Sequence, residues 1–157
     1  MIREIIKKCA RWTDLQAVII VSDILTCFDQ IGHDIINDTL QKANTPPQAA
    51  AALLRAYLDK TAQISINNTV TSNKFKFTRG GWQGGTNTPK ILNLILETHL
   101  TPLILQWKEE GIGFHIDGNE YNHAIFPDHL ILIAKDQHDA QRMMDDVTAC
   151  IHGLKLQ

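Results

Sequence analysis

The sequence has no excess of basic charge. Its 15 lysines and arginines are outnumbered by 17 aspartates and glutamates, for a net charge of −2. Phosphate neutralisation supplies most non-specific nucleic-acid affinity, so this balance argues against an autonomous grip on a long duplex. It leaves room for an acidic centre that works beside basic modules. A cysteine framework is also missing: Cys9, Cys27 and Cys150 form no C-x-x-C pair and are odd in number. That excludes a fully paired disulfide scaffold and favours free thiols in a reducing, intracellular compartment. No long apolar run follows the basic N-terminal stretch MIREIIKKCARW, so neither a signal peptide nor a membrane span is expected. Gly/Ser-rich and Pro-rich linkers are absent too. His115, His123 and His138 have no metal-ligand spacing and read as surface residues.

What is present suffices for one domain. A chain of 157 residues buries roughly two thirds of its extended surface on folding. Ile2, Ile5, Ile6 and Cys9 are spaced for a short amphipathic helix over 2–11. The β-branched run QAVIIVSDIL, 16–25, reads as a buried central strand ending near Asp23. Helices are expected over 33–43 and about 46–60, the second entered by proline, with Leu53, Leu54, Tyr57 and Leu58 as its inner stripe. Two short strands, TAQISIN and KFKFTR, follow around the polar turn NNTVTSN. Alternation through Lys74, Phe75, Lys76 and Phe77 predicts one wet and one packed face.

The stretch RGGWQGGTNTP, 79–89, holds four glycines without periodicity and must be a loop. A long helix is predicted from about Thr88 to Glu109, packed through Ile91, Leu92, Ile95, Leu96, Leu103 and Ile104 and closed by Gly111. Asp117 and Gly118 signal a two-residue hairpin turn. FPDHLILIAKD, 126–136, reads as two strands meeting at an acidic turn. A helix over about 136–152 is then predicted, with Ala140, Met143, Met144, Val147 and Ile151 inside, and LKLQ reads as a final strand. Helices and a mainly antiparallel sheet segregated in sequence give an α+β expectation.

Two acids read as buried or half-buried: Asp23, after AVIIV and a serine, and Asp128 between hydrophobic strands. If their strands lie side by side, both carboxylates emerge at one edge. There they could hold divalent metal for phosphoryl transfer. The plainer alternative has Asp128 starting a β-turn and Asp23 pairing with a basic side chain. Asp29 and His33 read as a brace or cap for the following helix.

Three segments in order carry a family resemblance. DILTCFDQIGH, 23–33, resembles the first palm motif of reverse transcriptases, in which an aspartate is followed five residues later by an aromatic and then by a second aspartate in retrotransposon and group II intron enzymes. RGGWQGGTNTP resembles the Gly-rich second motif built around Gln-Gly and closed by Ser/Thr-Pro. FPDHLILIAKD resembles the aromatic-Ala-Asp-Asp motif, and DAQRMMDDVTACIHGLKL resembles the helix that follows it. The resemblance implies a palm-like antiparallel sheet packed by helices and ancestral RNA-directed DNA polymerisation. Asp23 and Asp128 would be catalytic and would hold Mg²⁺ or Mn²⁺. Phe28 would pack beneath the incoming sugar, with core filling as its alternative role. Gln83, Gly84 and Gly85 would lie under the template and nascent pair. Trp82 is suited either to stacking or to anchoring the loop, and Arg79 to a phosphate or to solvent.

The resemblance also implies partners: an RNA template, a DNA primer and polypeptides that supply fingers and thumb or form a host assembly. Residues 1–157 are expected to be a partial domain, mainly palm, with most of the fingers and all of the thumb absent. His129 stands where the family has its second aspartate, and Pro127 replaces a small residue. An imidazole in place of a carboxylate disfavours magnesium, which prefers oxygen ligands, and is better tolerated by manganese. Gly85 replaces a common acid and Asn87 an apolar residue. Impaired polymerisation is therefore expected, with a domesticated structural or protein-interaction subunit as the alternative.

Overall fold

A computed structural model describes residues 2–11, 16–24, 27–58, 61–81, 85–125 and 129–156, with backbone alone at Thr69 and Val70. In chain order the elements are α1 (Ile2–Arg11), β1 (Val18–Asp23), α2 (Cys27–Gln30), α3 (His33–Lys42) and α4 (Pro47–Leu58). Four two-residue strands follow: β2 (Thr61–Ala62), β3 (Ser65–Ile66), β4 (Thr69–Val70) and β5 (Phe75–Lys76). The long helix α5 (Thr88–Glu109) precedes β6 (Phe114–Ile116), β7 (Asn119–Tyr121), β8 (His123–Ile125), β9 (His129–Ala134) and α6 (Gln137–Gly153). The chain divides into two compact units, Met1–Ile24 with His99–Gly153, and Leu25–Thr98 with Leu154–Gln157.

The first unit is built on an antiparallel sheet in the order β1-β9-β8. Strand β9 is central, and Leu130 through Ala134 are all buried, so both of its faces are covered. On one face Ile131 and Ile133 join Ile5 of α1 and Phe114 of β6, with Ile2, Cys9, Ile19 and Tyr121 packed around them. Helix α6 packs against β9 and β1. It buries Ala140, Met143, Val147 and Ile151 of the expected helical stripe, with Met144 half-buried. The β6-β7 hairpin turns at Asp117 and Gly118, whose φ values of 51° and 73° are those of the tight turn that an Asp-Gly pair favours.

The expectation of a central strand at 16–25 is corrected: among the described residues β1 lies at the edge of its sheet, and Val21 is 66% exposed. A β-branched run records strand propensity and apolar character, which an edge and a centre share.

In the second unit α3 packs on α4, burying Ile36, Thr39, Leu40 and Tyr57. Of the stripe predicted for α4 only Tyr57 is fully buried, and Leu58 is exposed. The expected pair of strands over 61–79 is more broken. β2 pairs with β5, while β3, the end of the first expected strand, pairs with β4, which lies inside the stretch expected to be turn. The reversal occurs at Asn67 and Asn68, with φ of 50° and 61°, a conformation that asparagine tolerates. Phe75 and Phe77, expected on a packed face, are exposed. LKLQ is not a strand in its described part: Leu154 and Lys155 form a turn, and Leu154 and Leu156 are buried. Helix α5 matches its predicted span, but Leu100 and Trp107, not Leu103 or Ile104, are the buried residues of its second half. Together these elements are the mixed helical and antiparallel-sheet architecture that the sequence suggested.

Candidate active site

The register of β1 with β9 places Asp23 directly opposite His129. Partners across an antiparallel pair share a face, and alternation along each strand puts Ile19, Val21 and Asp23 with Ile133, Ile131 and His129. That face is buried against α1 and Phe114 at its Ile19-Ile133 end. It opens to solvent at Val21, where the α1 cluster no longer covers it. The carboxylate of Asp23 is 60% exposed and its Oδ1 lies 3.5 Å from His129 Nδ1. Asp23 is thus neither buried nor half-buried as the sequence suggested. Solvent at the sheet edge removes the desolvation cost that a buried carboxylate would carry. The side chain that faces Asp23 is the imidazole of His129. Asp128, its expected partner, lies outside the described residues with Phe126 and Pro127. Among the described residues no cluster of three or more His, Cys, Asp or Glu side chains has metal-binding geometry.

The Gly-rich loop belongs to the second unit. Its start is pinned through the backbone: Gly81 N–H donates to Phe28 O at 2.6 Å, and Gly80 N–H donates to Ile31 O at 2.8 Å. Arg79 and Gly32 form a β-bridge. Gly80 has φ of +86°, and a Cβ there would sit 3.0 Å from Asp29 O, so both conformation and space require glycine. Phe28, on α2, is half-buried, and Arg79 is exposed. Gly85 is described and half-buried, and its carbonyl accepts from Thr88 N–H as α5 begins. Trp82, Gln83 and Gly84 lie outside the described residues.

A comparison with family models matches residues 2–157 to the reverse transcriptase (RNA-dependent DNA polymerase) family. The chain belongs to the reverse transcriptase family. Its palm-like fold is shared with a solved structure described as apo telomerase from Candida tropicalis truncated from its C-terminal domain. The TM-score is 0.69 at 11% identity, over 93% of this chain and 30% of that one. The reverse-transcriptase chain thus spans less than a third of the telomerase chain it matches, and the likeness is one of fold. No curated protein matches it by sequence.

Sequence reasoning missed the side chains that hold the Gly-rich loop of this palm. His33 Nε2 is 3.3 Å from Gly80 O, so His33 braces the loop. It does not cap α3, whose N-cap is Gly32 without a side-chain cap. The His33 and Tyr57 rings lie 6.4 Å apart, and Tyr57 OH is 3.5 Å from Thr88 Oγ1. Contacts of this kind span 24 (Tyr57 against His33) to 47 residues in sequence, and only the Thr-Pro that closes the loop motif hinted at one of them.

Proposed function

We propose that this chain is a reverse-transcriptase palm descended from an RNA-directed DNA polymerase, and that its acidic edge has lost most of its capacity for synthesis. The carrying observation is the pairing of Asp23 with His129 at the end of β1 and β9, where the family motif supplies a second aspartate. By the family pattern Asp23 and Asp128 would hold Mg²⁺ or Mn²⁺, which when bound activates a primer 3′-hydroxyl and stabilises the departing pyrophosphate. The described donors do not fit magnesium. One exposed carboxylate faces an imidazole, whereas magnesium demands oxygen ligands in near-octahedral geometry. An imidazole at position 129, where the family motif has a carboxylate, weakens metal binding beside Asp23 and so impairs the reaction.

On the same reading Phe28 packs beneath an incoming deoxynucleotide sugar, and Gln83, Gly84 and Gly85 underlie an RNA template paired with a DNA primer. Additional polypeptide supplies fingers and thumb. The half-burial of Phe28 supports a ring with one face free. The pinned backbone at Gly80 and Gly81 supports a loop that a nucleic-acid strand can approach closely. A second reading, a domesticated subunit that binds another protein, is favoured by Val21, exposed on the face that carries Asp23.

Primer extension on an RNA template with deoxynucleotides and Mg²⁺ or Mn²⁺ tests the first reading. The wild-type chain is expected to extend no more than Asp23→Asn, and His129→Asp is expected to extend measurably above both. Robust wild-type synthesis that Asp23→Asn abolishes would overturn the claim of impairment.

A further inference from the structure

Gly81 and Thr88 stand at the two ends of the Gly-rich loop, and they touch. A Cβ added to Gly81 would run into the Thr88 methyl group, so the chain leaves the loop beside the point where it entered. A surface loop whose ends meet keeps its shape through the contacts that hold those ends. Entry is fixed on the segment 28–33: Gly81 N–H donates to Phe28 O, Gly80 N–H to Ile31 O, and Gly80 O accepts from His33 Nε2 at 3.3 Å. Exit is fixed at Thr88, buried where α5 begins, with its Oγ1 3.5 Å from Tyr57 OH.

One side chain serves both ends. Tyr57 of α4 is itself buried, meets the His33 ring with centroids 6.4 Å apart and planes at 59°, and reaches Thr88 with its hydroxyl. All of these residues belong to the second unit. The His33 contact also selects a tautomer. A carbonyl oxygen can only accept, so the imidazole must carry a hydrogen on Nε2, and neutral His33 is the Nε2–H form. At 3.3 Å this bond is longer than the usual range of about 2.7–3.2 Å, so its removal loosens the loop locally and leaves the fold intact.

We propose that His33 is a positioning residue for the Gly-rich loop: with Tyr57 as a shared pillar, it clamps the loop's entry against its exit and presets the backbone between them. Ends held in advance reduce the ordering that a bound molecule would otherwise have to impose. The clamp stands on these contacts alone. That the preset backbone at Gln83, Gly84 and Gly85 serves a template rests on the polymerase reading.

The test is nuclear magnetic resonance of the ¹⁵N-labelled 157-residue chain, without nucleic acid or metal. Two-bond ¹⁵N correlations at about pH 8, where an ordinary imidazole is neutral, are expected to show His33 as the Nε2–H tautomer, its signals assigned by their loss in His33→Phe. That variant keeps a ring against Tyr57 but removes the donor, and amide exchange at Gly80 and Gly81 is expected to quicken about three-fold. His33→Gln, whose amide nitrogen can donate from about the position of Nε2, is expected to restore the wild-type rate. Tyr57→Phe keeps the ring but loses the hydroxyl, and is expected to quicken the amides of Thr88 and Gly81 together. Ile133 N–H, which donates to Asn122 O in the first unit, reports folding and should exchange at the wild-type rate in every variant.

A neutral Nδ1–H tautomer would overturn the proposal, because Nε2 would have no proton to give Gly80 O. So would unchanged exchange in His33→Phe, or a glutamine variant no slower than the phenylalanine one. Quickening of Thr88 alone in Tyr57→Phe would remove Tyr57 as the shared pillar. Primer extension by His129→Asp probes the polymerase reading separately, so failure of the clamp and failure of that reading are distinguishable.

Discussion

Asp23 Oδ1 and His129 Nδ1 lie 3.5 Å apart as register partners at the open end of an otherwise apolar sheet face. The geometry is set by the β1-β9 pairing, which makes any side chain at 129 the immediate neighbour of Asp23. Replacing His129 by aspartate therefore adds a hard oxygen ligand beside an existing carboxylate. His129→Asp is expected to raise Mn²⁺ affinity roughly ten-fold, since ligand charge sets affinity at such sites. Isothermal titration or Mn²⁺ resonance would read it, and equal affinities would sink the metal assignment of Asp23.

The sheet order predicts unequal costs along paired strands. Ile133, fully buried on the central strand, should cost about 2–4 kcal/mol on truncation to alanine. Val21→Ala on the exposed edge should stay within about 0.5 kcal/mol. Urea unfolding of both variants checks the contrast, and similar costs would contradict the edge placement of β1.

Gly80 combines a left-handed backbone with close approach to Asp29 O. Gly80→Ala is expected to destabilise by about 1–3 kcal/mol. A neutral result in thermal or urea unfolding would mean that the loop does not hold this conformation.

Trp107 is buried, and its Nε1–H donates to Asp146 Oδ2 at 2.8 Å. Trp107→Phe keeps most of the packing but removes the donor, for an expected loss of about 1–2 kcal/mol. Asp146→Asn, which retains an acceptor oxygen, should lose less. Should the asparagine variant prove the more damaging, the hydrogen bond is not what Trp107 contributes.

Burial pushes the Cys150 thiol above its ordinary value. The thiolate is the reactive form, so at mildly alkaline pH Cys150 should alkylate more slowly in the native chain than in urea, and its native rate should keep rising at pH values where a free thiol has levelled off. Peptide-resolved mass spectrometry after timed iodoacetamide treatment measures both, and a native rate equal to the unfolded one would contradict the shift. Linkage follows with the same sign: the folded state holds this proton more tightly, so its stabilising effect is present below the unfolded value and lost as pH rises past it.

Local signals in the sequence determined the helices at 2–11, 33–42, 47–58, 88–109 and 137–153, because periodic apolar positions, entering prolines and closing glycines act within a few residues. They also determined the Asp117-Gly118 turn, and the order of three motifs pointed to the reverse transcriptase family. The short helix Cys27–Gln30 was not legible, since four residues are too few to show a period. Nor was the exposure of Phe75 and Phe77, because alternation names two faces without saying which one is covered.

What lay next to Asp23 was decided only by tertiary structure. Strand character at 18–23 and at 129–134 can be read along the chain, but their register depends on which apolar side chains find cover together, and here Ile19 and Ile133 do so against Ile5 and Phe114. That burial set the pairing, and the pairing brought His129 to Asp23 across more than a hundred residues of sequence. In the same way His33 reached Gly80 through packing that no local pattern encodes. Sequence determines which groups are available for chemistry; the burial of distant apolar residues decides which of them meet.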